Sequence, residues 1–371
     1  MPKDSDSRIT LFVGTKKGLF RVIFEQDHGG WNIDGPHIEG YEILHCCQPV
    51  DDPHTVFAAA THPVWGSHIY KSGDQGNTWV SLDNVPHHAN GRYETSLKAI
   101  WYLASSHDAR TLIAGIDPPG LFVTRDSGET WQPMAGLNDH VTRSSWQASK
   151  GIFAVHSIYV DPSNDKRMVV AISAGGVYRS DDGGATWQPA NEGVRAENLP
   201  DRFPVSGHNV HRLIMHPLMP DRLYRQCYNG TYRSDDAGHS WREITDGLPS
   251  DFGYAIAADP NDPDTIFQIP VTSAQMRTTV DGKLRVYRSR DGGTTWASAS
   301  NGLPQSHVYV TVLREAIDTD SGQPCGVYFG TSGGQLFASR DEGGHWELIA
   351  GYLPKILSVR VARRSHPQSA S

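Results

Sequence analysis

The sequence predicts an all-β fold, a seven-bladed β-propeller. Three observations predict it: an octapeptide that recurs along the chain, a tryptophan that closes each copy at near-constant intervals, and termini that each carry part of one repeat. The composition agrees, because 37 Gly and 23 Pro with 10 Trp and 14 Tyr in 371 residues suit turn-rich strands better than helices. The length alone would suggest two or three domains. One repeat running through the whole chain instead sets residues 1–363 as a single propeller, followed by a polar tail at 364–371.

The octapeptide reads Ser/Thr-x-Asp-x-Gly-x-Thr-Trp. It begins at Ser72 and returns at Thr124, Ser180, Ser234, Ser289 and Ser339, with Ser240 and His345 in place of the Thr in two copies. A decayed seventh copy runs from Asp27 to Trp31. Each residue type helps to make the turn. The Asp carboxylate accepts from backbone N–H groups just ahead, and the Gly adopts the positive φ of a tight turn. The Trp then fills the gap beside the neighbouring sheet and offers its N–H to a carbonyl. Turn chemistry thus accounts for these aspartates without a catalytic role.

The closing tryptophans, Trp31, Trp79, Trp131, Trp187, Trp241, Trp296 and Trp346, lie 48 to 56 residues apart, the length of a four-stranded blade with variable loops. Within a repeat an apolar strand comes first, as in Val155–Val160 or Val210–Met215. A Pro/Asp turn follows (Asp161-Pro162; Asp259 to Pro263). Two strands flank a Gly-rich turn (Met168–Ser173 and Gly176–Ser180), and the octapeptide leads to the outermost strand. The chain begins on a second strand, Thr10–Val13, and ends on an orphan first strand, Ile356–Val361. Joining the two closes the first blade with N- and C-terminal strands and leaves no open edge.

The octapeptide is the Asp-box, or BNR, pattern, and the whole chain resembles a bacterial group of single-propeller proteins described as WD40/YVTN/BNR-like repeat proteins. The likeness extends to Gly14-Thr-Lys-Lys-Gly-Leu-Phe20, Leu137-Asn-Asp-His140, His156-Ser-Ile158 and Gly334-Gln-Leu-Phe-Ala-Ser-Arg-Asp341. The resemblance implies the propeller fold. Members often carry a glycosyl hydrolase or sialidase-like label, which follows the Asp box itself. Sialidases are six-bladed and open on Arg-Ile-Pro, whereas this chain reads Leu19-Phe-Arg21-Val-Ile-Phe24, so no sialidase site residue carries over. Xyloglucan-cleaving relatives use a cleft between two propellers, and photosystem-assembly propellers use the architecture as a scaffold.

Net charge is −8 with scattered Lys and Arg, which argues against nucleic acid as a partner. Met1 to Ser7 is polar and runs straight into a strand, so the expectation is a cytoplasmic chain with no membrane partner. Cys46, Cys47, Cys227 and Cys325 show no C-x-x-C spacing and read as buried thiols.

Candidate site residues come from the first strands, which line the central channel. His156 and His211 sit at matching places, Tyr254 holds the same place in the next blade, and His45 and Lys98 fall near it in the second and third blades. Convergent imidazoles suit acid–base chemistry at neutral pH or a divalent metal ion (Zn, Fe, Cu or Mn), with His45, His156 and His211 as ligands. The alternative is a structural ring bonded to channel water and backbone. Glu42 and Lys98 would join the catalytic set, and Trp65, Arg143, Trp146, Tyr228 and Asn229 would bind substrate. Long loops add Arg92, Glu94, His140, Arg202 and His208, and the segment from Pro270 to Lys283 reads as a lid or a subunit contact.

The leading expectation is a hydrolase or lyase acting on a small polar or anionic molecule at the channel mouth. A glycoside hydrolase or carbohydrate-binding propeller is the first alternative, and a non-catalytic interaction scaffold the second.

Overall fold

The computed structural model describes residues 8–25, 29–89, 96–147, 151–197 and 199–363. The predicted tail at 364–371, Asp27 and His28 of the decayed octapeptide, and Arg92 and Glu94 lie outside the described residues. Seven four-stranded antiparallel sheets form the seven blades of a β-propeller. Blade 1 combines Ile356–Val361 as its innermost strand with Arg8–Thr15, Gly18–Glu25 and Gly30–His37. Leu11 pairs with Val361 and Val13 with Val359, so both ends of the chain share one sheet.

The other innermost strands, in order round the ring, are Glu42–Cys47, Ala99–Ser105, Val155–Asp161, Val210–His216, Gly253–Asp259 and Ile317–Thr319 (blades 2 to 7). Each touches the next, and the last touches Ile356–Val361, which closes the ring. The apolar runs in the first three strands of each blade give sheets covered on both faces. The core is accordingly a series of layers between blades, such as Val169, Val177, Leu213, Met215 and Trp241 between blades 4 and 5.

The octapeptides are the turns between third and fourth strands. In the first, Ser72 Oγ donates to Asp74 Oδ1 (2.7 Å) and accepts from Gly76 N (2.8 Å), while Thr78 donates through N (2.9 Å) and Oγ1 (2.6 Å) to the same carboxylate. The pattern repeats with Ser240 in the Thr place, and at His345 only the backbone bond remains (2.8 Å). Five of the seven closing tryptophans use one of two carbonyl partners. Trp79 and Trp187 bond their own turn glycines' carbonyls, whereas Trp241, Trp296 and Trp346 reach Ala190, Ile244 and Ala299 in the preceding blade. Gly184 needs its lack of a side chain: its φ is +87°, and a Cβ there would meet Met134 Cε at 2.0 Å.

All four cysteines are free, and Cys47 alone is less than fully buried. No helix among the described residues is long and apolar enough to cross a membrane.

Candidate functional site

An antiparallel meander sends the inter-blade loops and the second-to-third-strand turns to one face. The first-to-second-strand turns and the octapeptides go to the other. These are called the loop face and the turn face. Near the loop face each innermost strand from blade 1 to blade 6 carries a β-bulge. The extra residue is Leu357, Leu44, Trp101, His156, His211 and Tyr254 in turn. A bulge re-aims the side chain of its extra residue, so the repeat itself builds a ring of side chains at one level of the channel.

Blade 7 departs from this, because its strand begins only at Ile317. Arg314 reaches the same level, with its guanidinium 5.7 Å from the Trp101 ring centre across the channel. The ring is two-sided. Leu44, Leu357, Leu313 and Trp101 pack together on one side, and His156, His211 and Tyr254 form the other.

The two histidines are held as neutral groups. His156 is fully buried and donates Nε2–H to Val210 O (3.0 Å) while Nδ1 faces Ser157 Oγ (3.1 Å). Burial, and then the Arg314 charge, place its pKa well below the usual histidine value. His211 donates Nδ1–H to Gly253 O (2.7 Å), and burial followed by Arg314 pushes its pKa down to about 3. Its ring packs on Tyr254 (4.7 Å) and Phe252 (5.1 Å).

His45 does not join them. The extra residue in blade 2 is Leu44, so His45 falls one position further along the strand and one level deeper. There Arg360 donates to His45 Nε2 (3.0 Å), and burial with the charges of Arg360 and Arg212 keeps the ring neutral. Among the described residues no group of three or more His, Cys, Asp or Glu is disposed to hold a metal ion. The residues present therefore do not fit the divalent ion that a ring of His45, His156 and His211 would take.

The deeper level is a buried ionic plug. Glu315, 1% exposed, pairs with Arg212 (2.6 Å) and accepts from Arg360, tying blade 7 to blades 5 and 1. Arg360 also lies 3.8 Å from Asp318, whose pKa is raised by burial. Below the plug a cavity of about 390 Å³ opens toward the turn face, with Tyr102, Tyr159, Arg212, Asp318 and Arg360 around it and Pro162, Pro217 and Pro260 at its rim. Cys46 and Cys47 border this cavity, but burial pushes their thiols up to about 12 and about 11, which leaves them poor nucleophiles.

The remaining predicted residues scatter over the loop face. Glu42 pairs with Lys16 (2.8 Å). Lys98 is exposed just before the blade 3 strand, with its charge felt by Asp117. Trp65 is 69% exposed and stacked beside His62. Trp146 is buried instead, donating to Tyr178 Oη (2.7 Å) under the Arg143 guanidinium (5.2 Å), and Arg143 donates to Pro119 O (2.7 Å). Tyr228 packs on Phe252 (5.4 Å) beside His211, whereas Asn229 Oδ1 accepts from Glu197 N (3.2 Å).

His140 and His208 donate to the carbonyls of Trp187 (3.1 Å) and Val194 (3.0 Å), and Arg202 pairs with Glu197 (2.9 Å). The segment from Pro270 to Lys283 is pinned by a Val271–Thr279 bridge and by Thr311 Oγ1 donating to Arg277 O.

Sequence reasoning missed Arg212, Arg314, Glu315 and Arg360. The signal was there, since a charge inside an apolar first-strand run is costly unless it is paired or solvated. It also missed Asp117, at the loop-face end of Leu112–Asp117. Burial raises its pKa, and its Oδ1 is buried without a hydrogen-bond partner.

A family model described as "Sortilin, neurotensin receptor 3" (Sortilin-Vps10) matches residues 120–281. Xyloglucanase Xgh74A of Acetivibrio thermocellus is 28% identical over 265 residues, covering 63% of this chain and 30% of that protein. The chain thus spans less than a third of the length of the curated relatives it matches. Among solved structures, the Niastella koreensis GH74 enzyme aligns with a TM-score of 0.64 at 19% identity, over 93% of this chain and 52% of that one. A structure described as YCF48 bound to D1 peptide aligns with a TM-score of 0.54 at 14% identity, over 93% and 85% of the two chains. These likenesses establish the propeller fold and point to glycoside hydrolase propellers as relatives in sequence.

Proposed function

We propose that this chain is a glycan-recognising propeller of the glycoside hydrolase kind, related to the Asp-box single-propeller group, that receives a polysaccharide segment across its loop face. One observation carries the reading: large apolar side chains stand exposed on the loops of neighbouring blades. Trp65 (69% exposed) lies on blade 2, Tyr352 (102%) on the connection into blade 1, and Tyr309 (60%) on the connection into blade 7. An exposed aromatic face is costly in water and suits the flat C–H face of a sugar ring. The xyloglucanase relatives supply the substrate class, xyloglucan. On the same face, Asp117 is the carboxyl whose burial favours the protonated form, as a general acid for a glycosidic oxygen requires.

Calorimetric titration with xyloglucan oligosaccharides tests the binding step. Trp65→Ala and Tyr352→Ala should each weaken affinity about 3- to 10-fold, as loss of one stacking contact does. Reducing-sugar release should vanish in Asp117→Asn while binding persists. Absence of binding to any β-glucan, or full affinity in both aromatic variants, would overturn the reading.

A further inference from the structure

The ring at the loop-face end of the channel holds a feature that the glycan reading does not use. Arg314 is 92% buried, counted from its 8% exposure, yet among the described residues its guanidinium has no hydrogen-bond or ion-pair partner, and Nη1 is fully enclosed without one. Of the adjacent carboxylate, Glu315, Oε2 is engaged by Arg212 and Arg360 one level deeper, and Oε1 makes no hydrogen bond among the described residues. Facing Arg314, the Trp101 Nε1–H is a second buried donor without a partner. Unpaired buried donors, one of them charged, cost several kcal/mol unless something accepts from them.

The level is not fully sealed: Leu44, His211 and Arg314 keep 8% exposure and Leu357 and Tyr254 keep 9%. His211, with Nδ1–H given to Gly253 O, offers Nε2 as a lone-pair acceptor that has no partner among the described residues.

From this arrangement we infer that the loop-face end of the channel is a binding site for a hydroxy-carboxylate, its carboxylate held by Arg314 and Trp101 and a hydroxyl given to His211. A planar guanidinium matches a carboxylate through two parallel N–H donors. The neutral imidazole accepts rather than donates, which selects a ligand hydroxyl beside the acid group. Leu44, Leu357 and Leu313 cover the ligand's carbon side. The same chemistry is found in a free sugar acid and in a uronate at the end of a glycan, and the experiment separates these sources.

Calorimetry on the full chain would use D-glucuronate, D-glucose, acetate and a neutral gluco-oligosaccharide with and without a terminal glucuronate. Glucuronate should bind, with glucose and acetate at least about 10-fold weaker, since each lacks one of the two recognised groups. Arg314→Met should weaken glucuronate about 10- to 100-fold, the worth of a charged hydrogen-bond pair, with unchanged binding of neutral glucan at the loop face. Trp101→Phe keeps the ring and removes only the N–H, so a several-fold loss reads the same site if Arg314→Met does not fold.

Tighter binding of the glucuronate-tipped oligosaccharide than of the free acid assigns the glycan source, and the reverse assigns the free acid. Equal affinity for glucose and glucuronate, or full glucuronate affinity in both Trp101→Phe and Arg314→Met, overturns the inference. Failure of neutral-glucan binding alone would leave it standing and remove only the glycan reading.

Discussion

Replacing Glu315 by Gln tests how the ring is closed. Glu315 is 1% exposed, forms an ion pair with Arg212 of blade 5 and takes a hydrogen bond from Arg360 of the C-terminal strand in blade 1. The amide keeps the shape but removes the charge, leaving two guanidiniums with side-chain exposures of 4% and 15% facing each other. Breaking a buried ion pair on one side costs about 3–5 kcal/mol, because the remaining charge is stranded, not because the pair itself stabilises by that amount. Arg360 keeps Asp318 at 3.8 Å, so Arg212 is the cation left without a carboxylate and the lower half of that range is expected.

Equilibrium urea unfolding of wild type and Glu315→Gln, followed by tryptophan fluorescence, measures the difference. Arg202→Ala is the control: its pair with Glu197 is mostly exposed, at 62% and 42%, and should change stability by less than about 1 kcal/mol. A loss below about 1 kcal/mol in Glu315→Gln, no larger than in the control, would refute the plug as a stabilising closure.

Three further outcomes follow from the same geometry. His208 and His211 have folded pKa values depressed to about 4 and about 3, below the unfolded value near 6.5. Between those limits the unfolded chain binds more protons, so stability present above pH 6.5 should be lost as pH falls toward 4, His208 alone contributing on the order of 3 kcal/mol. Urea midpoints at about pH 7, 5.5 and 4.5 check this, and a flat profile would contradict it.

Trp187→Ala empties a site 2% exposed between blades and should destabilise by about 3–5 kcal/mol in the same unfolding assay. Truncation before Ile356 removes the innermost strand of blade 1 and bares the edge at Leu11–Thr15, so size-exclusion chromatography should show aggregates in place of the wild-type peak.

How much of the site could be read in the sequence follows from its register. The matching places of His156, His211 and Tyr254 are visible because the same number of residues separates each from its turn. The error at His45 comes from one position: Ile43 pairs with Ala60 and His45 with Ala59, so Leu44 is the extra residue. A bulge leaves no mark in a two-residue alternation, and a shift of one changes which level a side chain serves. Trp146 misled for another reason. An indole on a loop reads as exposed, but the Tyr178 hydroxyl and the Arg143 guanidinium enclose it.

The sequence by itself determined the blade count, the octapeptide turns and the pairing of the two termini. These depend on local turn chemistry and on a repeat that has one way to close. Only the tertiary structure decided which polar side chains share a level of the channel, that Glu315 Oε2 is engaged by two distant arginines, and that Arg314 makes no hydrogen bond or ion pair among the described residues. Those facts depend on where seven separate sheets set their inner strands relative to one another. A charge's partner across a ring has no fixed distance along the chain.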